Sequence, residues 1–314
     1  MNPEVSVVIV SWNTRDILRD CLRSVAAETR LAHEVIVVDN ASRDGSAEMV
    51  ADEFPGAVLI RNGDNRGFAV ACNQAIRVAR GRYILLLNPD TIVLDNAIGR
   101  MLAWFDAQEK SVGAAGCQVW RSDNAIQRTC FAEPHLLNML LVETGIRRAL
   151  PWRALGAPMY ASWDRCSERD VDVVTGMFLM VPRRVIDEVG LLDEIFFLYS
   201  EEADWCRRMR AAGYRCVFTP VARIIHRDGG EKSASQIRAR MYVQKHKSKL
   251  LYARKHYGVS GHLFAKTILF ATSLGRWAAL GALALVRGDA ETRTRARLAR
   301  DASLYHFAGR EPAG

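Results

Sequence analysis

Five short apolar runs alternate with amphipathic stretches over the first 120 residues, and this alternation constrains the fold more than any other feature. Val5-Ser-Val-Val-Ile-Val-Ser11 is too short for a helix and apolar on both faces, the pattern of a central parallel strand. In 15–27, Ile17, Leu18, Cys21, Leu22 and Val25 recur with helical period. Further strands are predicted over Glu34–Asp39, Ala57–Ile60, Tyr83–Leu87 and Val112–Val119. Between them, a helix follows Ser46, a second covers 68–80 and a third covers 95–108. The order calls for an α/β fold: a doubly wound, mostly parallel sheet with right-handed crossovers.

In such sheets ligands sit beyond the carboxyl ends of the strands. Three of those ends carry Asn13, Asp39 and the Asn88-Pro-Asp90 turn. No G-x-G-x-x-G and no glycine-rich lysine loop is found, which argues against a nicotinamide dehydrogenase or a P-loop enzyme. Residues 120–170 read as irregular, with Pro134, Pro151 and Pro158, and a stretch this long suggests a lid or an acceptor-binding insert. Val171–Val181 is strand material broken at Gly176, and Pro182 starts a helix that runs to about Val189. Tyr214–Phe218 reads as a further strand, and Ala222–His226 leads to Arg-Asp-Gly-Gly.

The most concentrated chemistry lies at 196–206, Phe-Phe-Leu-Tyr-Ser-Glu-Glu-Ala-Asp-Trp-Cys. Glu201, Glu202 and Asp204 follow apolar residues directly, where like charges repel and burial disfavours the ionised form. Acidic residues also suit the first turn of a helix, and Trp205, Met209 and Ala212 fall at helical spacing. A catalytic use and a capped amphipathic helix are both compatible with this stretch.

The charge is uneven. From Arg227 onward there are 17 basic and 6 acidic residues, a balance of +11, whereas 1–226 carry 26 and 29, a balance of −3. An anionic partner is therefore expected for the C-terminal part alone. Seven cysteines, an odd number without a C-x-x-C pair, favour a reducing compartment over a disulfide framework or a zinc cage. No basic start or apolar core of an export signal precedes Val5.

The chain resembles the family 2 glycosyltransferases of the A-type nucleotide-sugar fold, in particular bacterial rhamnosyltransferases of envelope polysaccharide synthesis. The resemblance rests on 5–14 (VSVVIVSWNT), 37–46 (VVDNASRDGS), 65–69 (NRGFA) with Asn73, 85–91 (LLLNPDT), the cluster at 196–208, and His226. It covers roughly residues 5–230, and six motifs in the right order carry it where none would alone. It implies a nucleotide-diphospho-sugar transferase type of sheet, with Asp90 and His226 as ligands of Mg²⁺ or Mn²⁺. The family's usual Asp-x-Asp is Asn88-Pro-Asp90 here, so one carboxylate is missing. Asn88 is then left to hydrogen-bond the ribose or a metal-bound water. The nucleotide falls to Asn13, Thr14, Asp39, Arg66, Gly67 and Asn73, with Gly67 supplying backbone freedom. The acidic pair, most often Glu-Asp in the family, is Glu201-Glu202 here. By the match Glu202 is the general base, with Glu201 and Asp204 orienting the acceptor or the helix; the choice among the three stays open.

Residues 1–230 are thus expected to be the catalytic domain and 231–314 a helical appendage. In the appendage, 237–257 is a basic helix with interleaved aromatics, and 263–286 is apolar except for Lys266 and Arg276. That length could span a bilayer, but a charge at mid-depth costs about 2.5–3.5 kcal/mol. A peripheral anchor on an anionic leaflet, at the cytoplasmic face of the inner membrane, fits better. A hairpin packed on protein, or a homodimer interface, is the alternative. The expected reaction is inverting transfer of a sugar, L-rhamnose from dTDP-rhamnose, to a glycan or lipid-linked acceptor. A UDP-sugar donor, a sugar-nucleotide pyrophosphorylase and a non-catalytic membrane- or nucleic-acid-binding protein are the rivals. The pyrophosphorylase lacks its glycine-rich basic loop, and the apolar tail is poorly suited to nucleic acid.

Overall fold

The computed structural model describes residues 2–146, 160, 163–227 and 238–309. Pro151 and Pro158 of the expected insert and the 230/231 boundary lie outside them. The chain divides into two compact units, one of Met1–Glu133, Ala157–Phe197 and Glu201–Ser233, the other of Pro134–Gly156, Leu198–Ser200 and Ala234–Gly314.

In the first unit β1 (Val5–Ser11), α1 (Arg15–Glu28), β2 (His33–Asp39), α2 (Ser46–Glu53), β3 (Val58–Arg61), α3 (Phe68–Val78) and β4 (Tyr83–Leu87) follow the expected alternation. These four strands pair in parallel in the order β3-β2-β1-β4. The pattern behind them is hydrophobic: Val5, Val7, Val8 and Ile9 are all but fully buried, and Leu18, Cys21, Leu22 and Val25 turn one stripe of α1 onto them. The edge strand β3 is partly exposed, as its position allows.

Beyond β4 come β5 (Thr91–Val93), α4 (Ala97–Ala107), β6 (Val112–Arg121), β7 (Ile126–Gln127), β8 (Cys130–Phe131), β9 (Arg169–Asp170), β10 (Val173–Val174), β11 (Phe178–Pro182), α6 (Arg183–Val189), α7 (Glu201–Ala211) and β12 (Arg215–His226). Among the described residues the main sheet has the order β3-β2-β1-β4-β11-β6-β12-β5, with β7 on β6 and β9 on β12. The fold class is the expected one, α/β with a mixed, substantially parallel sheet and a C-terminal helical region. Its second half differs from simple winding, because β11 enters antiparallel between β4 and β6. The strand expected at 214–218 runs on to His226 as one strand, β12, with a register shift between Phe218 and Arg223. Pro220 lies inside that shift and has no N–H to give to a ladder, which accounts for the break in the pattern. β5, expected only as part of the turn after Pro89, pairs antiparallel with the end of β12, His226 opposite Thr91.

The second unit contains α5 (Leu136–Thr144), α8 (Arg238–Arg287) and α9 (Ala290–Ala308). The basic and apolar segments are one bent element, broken at Gly258 (φ 68°, ψ −160°). Leu250 and Ala253 before the break pack with Ala265 and Leu269 after it, and with Met139 of α5. The Glu143 carboxylate is held by Lys249 at 2.5 Å and Arg276 at 3.1 Å. Arg276 is therefore not an isolated charge in an apolar run. His246 Nδ1 and His306 Nε2 are in contact at 2.8 Å, and both rings are buried. Leu263, Phe264, Leu274, Trp277, Leu285, Val286 and Phe307 stay exposed. By length and composition, Ala239–Arg287 is apolar enough to cross a membrane, and little of its most apolar window is buried.

Candidate functional site

The carboxyl ends of β1 and β2 form a latch. Asn13 takes a left-handed conformation (φ 55°), its N–H donates to Ser42 Oγ at 2.9 Å, and its Oδ1 accepts from the Arg43 N–H at 2.7 Å. Thr14 is buried, with its hydroxyl 2.8 Å from that of Ser11. Asp39, the last residue of β2, accepts the Ser42 N–H on Oδ2 at 3.0 Å in an Asx turn. Its Oδ1 is buried and has no partner among the described residues. A buried carboxylate oxygen without a donor is costly, and a ligand N–H or O–H would relieve that cost.

Gly67 fills a position no other residue could take easily. Its φ is 82° and ψ 177°, and a Cβ there would lie 2.3 Å from the Phe197 carbonyl oxygen. That carbonyl accepts the Phe68 N–H at 2.7 Å, tying the start of α3 to the approach to α7. Arg66, next to it, is exposed. Asn73 is committed to the fold. Its Nδ2 donates to Leu192 O at 2.8 Å and Glu194 Oε1 at 2.9 Å, and its Oδ1 accepts the Leu192 N–H at 3.1 Å. Both its amide hydrogens are used in clamping the 192–194 segment. Sequence reasoning did not pick out Asn40 and Asn62. Asn40 Nδ2 donates to Gly67 O at 3.1 Å, and Asn62 Nδ2 donates to Asn40 Oδ1 at 2.8 Å.

Asp90 and His226 are 136 positions apart in the chain (226 against 90) but meet through the β5–β12 pairing described above, with Asp90 Oδ1 and His226 Nε2 3.1 Å apart. Both residues are buried, and neither of these two atoms has a hydrogen-bonding geometry to any described group. On the other side of the ring, His226 Nδ1 lies 3.0 Å from Gln127 Oε1. Asn88 sits beside them. Its N–H donates to Met177 O at 3.2 Å and its carbonyl accepts the Thr91 hydroxyl at 2.7 Å. No group of three His, Cys, Asp or Glu side chains converges among the described residues. Two converging ligands are nevertheless a fit for a hard cation that takes its remaining oxygens from a diphosphate and water.

The acidic cluster opens α7 after two successive left-handed residues, Tyr199 (φ 70°) and Ser200 (φ 72°). Strain of this kind is retained where the surroundings over-determine it, often at functional sites. The three carboxylates are held differently. Glu202 Oε1 accepts the Gly176 N–H at 3.0 Å. Burial pushes its pKa up from the ordinary carboxylate value, opposed by that hydrogen bond and by one from its own backbone N–H. Asp204 is fully buried and accepts Arg208 Nε at 2.8 Å. Arg208 also donates to Val189 O and Leu191 O, at 2.9 and 2.7 Å, so the pair fixes α7 to the end of α6. Glu201 is buried at the first position of the helix. Of the three, Glu202 combines a raised pKa with partial exposure.

The sheet, with a buried acid at the end of β2, an acid–imidazole pair at the β4 side and a half-buried carboxylate on α7, has the A-type fold of glycosyltransferases. Residues 6–149 match the family model of glycosyl transferase family 2, and the chain is a glycosyltransferase. It is similar to the N-acetylglucosaminyl-diphospho-decaprenol L-rhamnosyltransferase of Mycobacterium tuberculosis, 26% identical over 277 residues, covering 82% of this chain and 87% of that protein. It is also 26% identical over 244 residues to the O-antigen biosynthesis protein RfbC of Myxococcus xanthus, covering 75% of this chain but 18% of that one. Among solved structures, a mannosyltransferase of Pyrobaculum calidifontis in complex with GDP-Man and Mn²⁺ matches with TM-score 0.55 and 18% identity, over 99% of this chain and 89% of that one. GalNAc-T7 with UDP, GalNAc and Mn²⁺ matches with TM-score 0.54 and 16% identity, over 72% of this chain and 44% of that one.

Proposed function

We propose that this chain is an inverting hexosyltransferase that moves L-rhamnose from dTDP-rhamnose to a lipid-linked sugar acceptor of envelope polysaccharide synthesis. The single observation that carries the donor side is the facing of Asp90 Oδ1 and His226 Nε2, 3.1 Å apart and buried without hydrogen-bonding geometry. The mycobacterial relative's name supports the choice of sugar and of acceptor class. Asp90 and His226 would hold Mg²⁺ or Mn²⁺, and the bound ion would neutralise charge on the leaving diphosphate. Asp39 Oδ1 is the acceptor for a donor group of the base or ribose, and the Asn13–Ser42–Arg43 latch holds the loop that follows it. Arg66, exposed next to Gly67, is assigned to the diphosphate.

Glu202 is the proposed base. It takes the proton of the acceptor hydroxyl as that oxygen bonds to the anomeric carbon on the face opposite the diphosphate. The bond to the diphosphate oxygen breaks, and the configuration inverts. A carboxylate whose pKa is raised toward the operating pH is the better proton acceptor for this step. Glu201 and Asp204 orient the helix that carries it.

The helical unit is assigned to the membrane surface at the cytoplasmic face. Exposed Leu263, Phe264, Leu274, Trp277, Leu285, Val286 and Phe307 supply apolar area, and the excess of basic residues supplies attraction to anionic lipid. A catalytic domain 1–230 and a membrane-docking part 231–314 remain the proposed division of labour. Calorimetric titration with dTDP- and UDP-sugars, with and without Mg²⁺ or Mn²⁺, tests the donor assignment. The expected result is preference for dTDP-rhamnose, dependent on the cation and lost in Asp90→Ala. Equal binding in chelator would remove the cation from the reading.

A further inference from the structure

Gln127 was invisible to sequence reasoning, lies in a two-residue strand within an irregular stretch, and touches the one histidine of the candidate site. An amide oxygen only accepts hydrogen bonds, so at 3.0 Å from Gln127 Oε1 the His226 Nδ1 must carry a proton. In the neutral ring that leaves the lone pair on Nε2, the nitrogen that faces Asp90. The same amide is anchored at its other end, where Nε2 donates to Met177 Sδ at 3.6 Å. Met177 in turn accepts the Asn88 N–H on its carbonyl, and its neighbour Gly176 gives its N–H to Glu202. β7 is held in place by pairing Val119 with Gln127 and Trp120 with Ile126. The glutamine is thereby fixed by backbone pairing on one side and by the 176–177 bridge on the other.

We infer that Gln127 is a positioning residue for the cation: it fixes the tautomer and ring orientation of His226 so that Nε2 points with Asp90 at one divalent ion. This rests on the reading of Asp90 and His226 as cation ligands. Removing a group that orients a metal-ligating histidine commonly costs 10- to 100-fold in metal affinity.

Mn²⁺ binding, followed by the electron paramagnetic resonance of the free ion with dTDP or UDP present, tests this without turnover. Gln127→Leu and Gln127→Ala should each weaken Mn²⁺ by about 10-fold or more. Gln127→Glu, which keeps an acceptor at the same reach, should stay within a few-fold of wild type. Thermal unfolding of each variant shows that the comparison is made on folded protein. Wild-type affinity in Gln127→Leu and Gln127→Ala, with His226→Ala defective, would overturn the positioning role and leave the cation site intact. Absence of Mn²⁺ binding by the wild type, or undiminished binding by Asp90→Ala and His226→Ala, would overturn the cation site and this role with it.

Discussion

At the scale of the residue, three carboxylates within four positions have three surroundings. Asp204 is neutralised by Arg208 and serves the fold, whereas Glu202 is half-buried and is met by backbone N–H groups and, among the described residues, no cation. Glu202→Gln is expected to lower the transfer rate ~10²-fold or more while donor affinity changes only a few-fold. The sign of the pH effect follows from the raised pKa. The acid form persists to higher pH than for an ordinary carboxyl, so activity should fall on the acidic side at a pH above the ordinary carboxylate range. Loss of that acidic limb in Glu202→Gln, in a pH–rate profile, checks the assignment. A near wild-type rate in Glu202→Gln with an inactive Glu201→Gln would move the base to Glu201.

At the scale of the element, the site depends on how closely segments approach. The turn before α3 and the approach to α7 touch backbone to backbone at Gly67 and Phe197. Gly67→Ala would set a Cβ 2.3 Å from the Phe197 oxygen, at a backbone conformation essentially confined to glycine. The expected cost is about 2 kcal/mol or more, read as a lowered unfolding midpoint, with loss of activity as the start of α7 shifts. The motif Asn65–Ala69 was legible in the sequence, but its role in packing was not, because the partner lies 130 positions away (197 against 67). The same reason hid Gln127 and the use of Asn73: neither period nor spacing marks a residue whose partner is set by strand order.

At the scale of the whole molecule, the helical unit has two separable properties. Its apolar surface predicts that Leu285→Asp, Val286→Asp and Phe307→Asp together abolish co-sedimentation with anionic vesicles. These side chains are 89%, 85% and 80% exposed, so the unit should stay folded and turnover on a soluble acceptor should persist. Unchanged sedimentation would point instead to a protein partner for that face. Its interior predicts acid sensitivity. Burial, with Lys249 nearby, holds His246 down to about 3, and burial, with Lys266 nearby, holds His306 down to about 4. Below the ordinary value of 6.5, the unfolded chain takes up protons that the folded unit refuses. Stability therefore falls as pH drops from 6.5 toward those values, by up to about 1.4 kcal/mol per pH unit for each ring. Circular-dichroism melts at pH 7 and pH 5 should show this loss, and His246→Leu with His306→Leu should flatten it.

The sequence by itself determined the α/β alternation, the places where strands end in polar residues and the acidic start of α7. These are local matters of period, run length and capping, and each can be read from a window of a few turns. The tertiary structure alone decided that β11 runs antiparallel into the middle of the sheet and that β5 closes against β12. It also decided that Arg276 meets Glu143 and does not sit alone in an apolar helix. Those outcomes depend on which buried surfaces find one another after hydrophobic collapse, and a short polar turn such as 88–91 carries no local signal of the strand it will pair with. Asp90 and His226 were nameable from their motifs, but their 3.1 Å approach is a consequence of strand pairing, as is the glutamine that holds the ring.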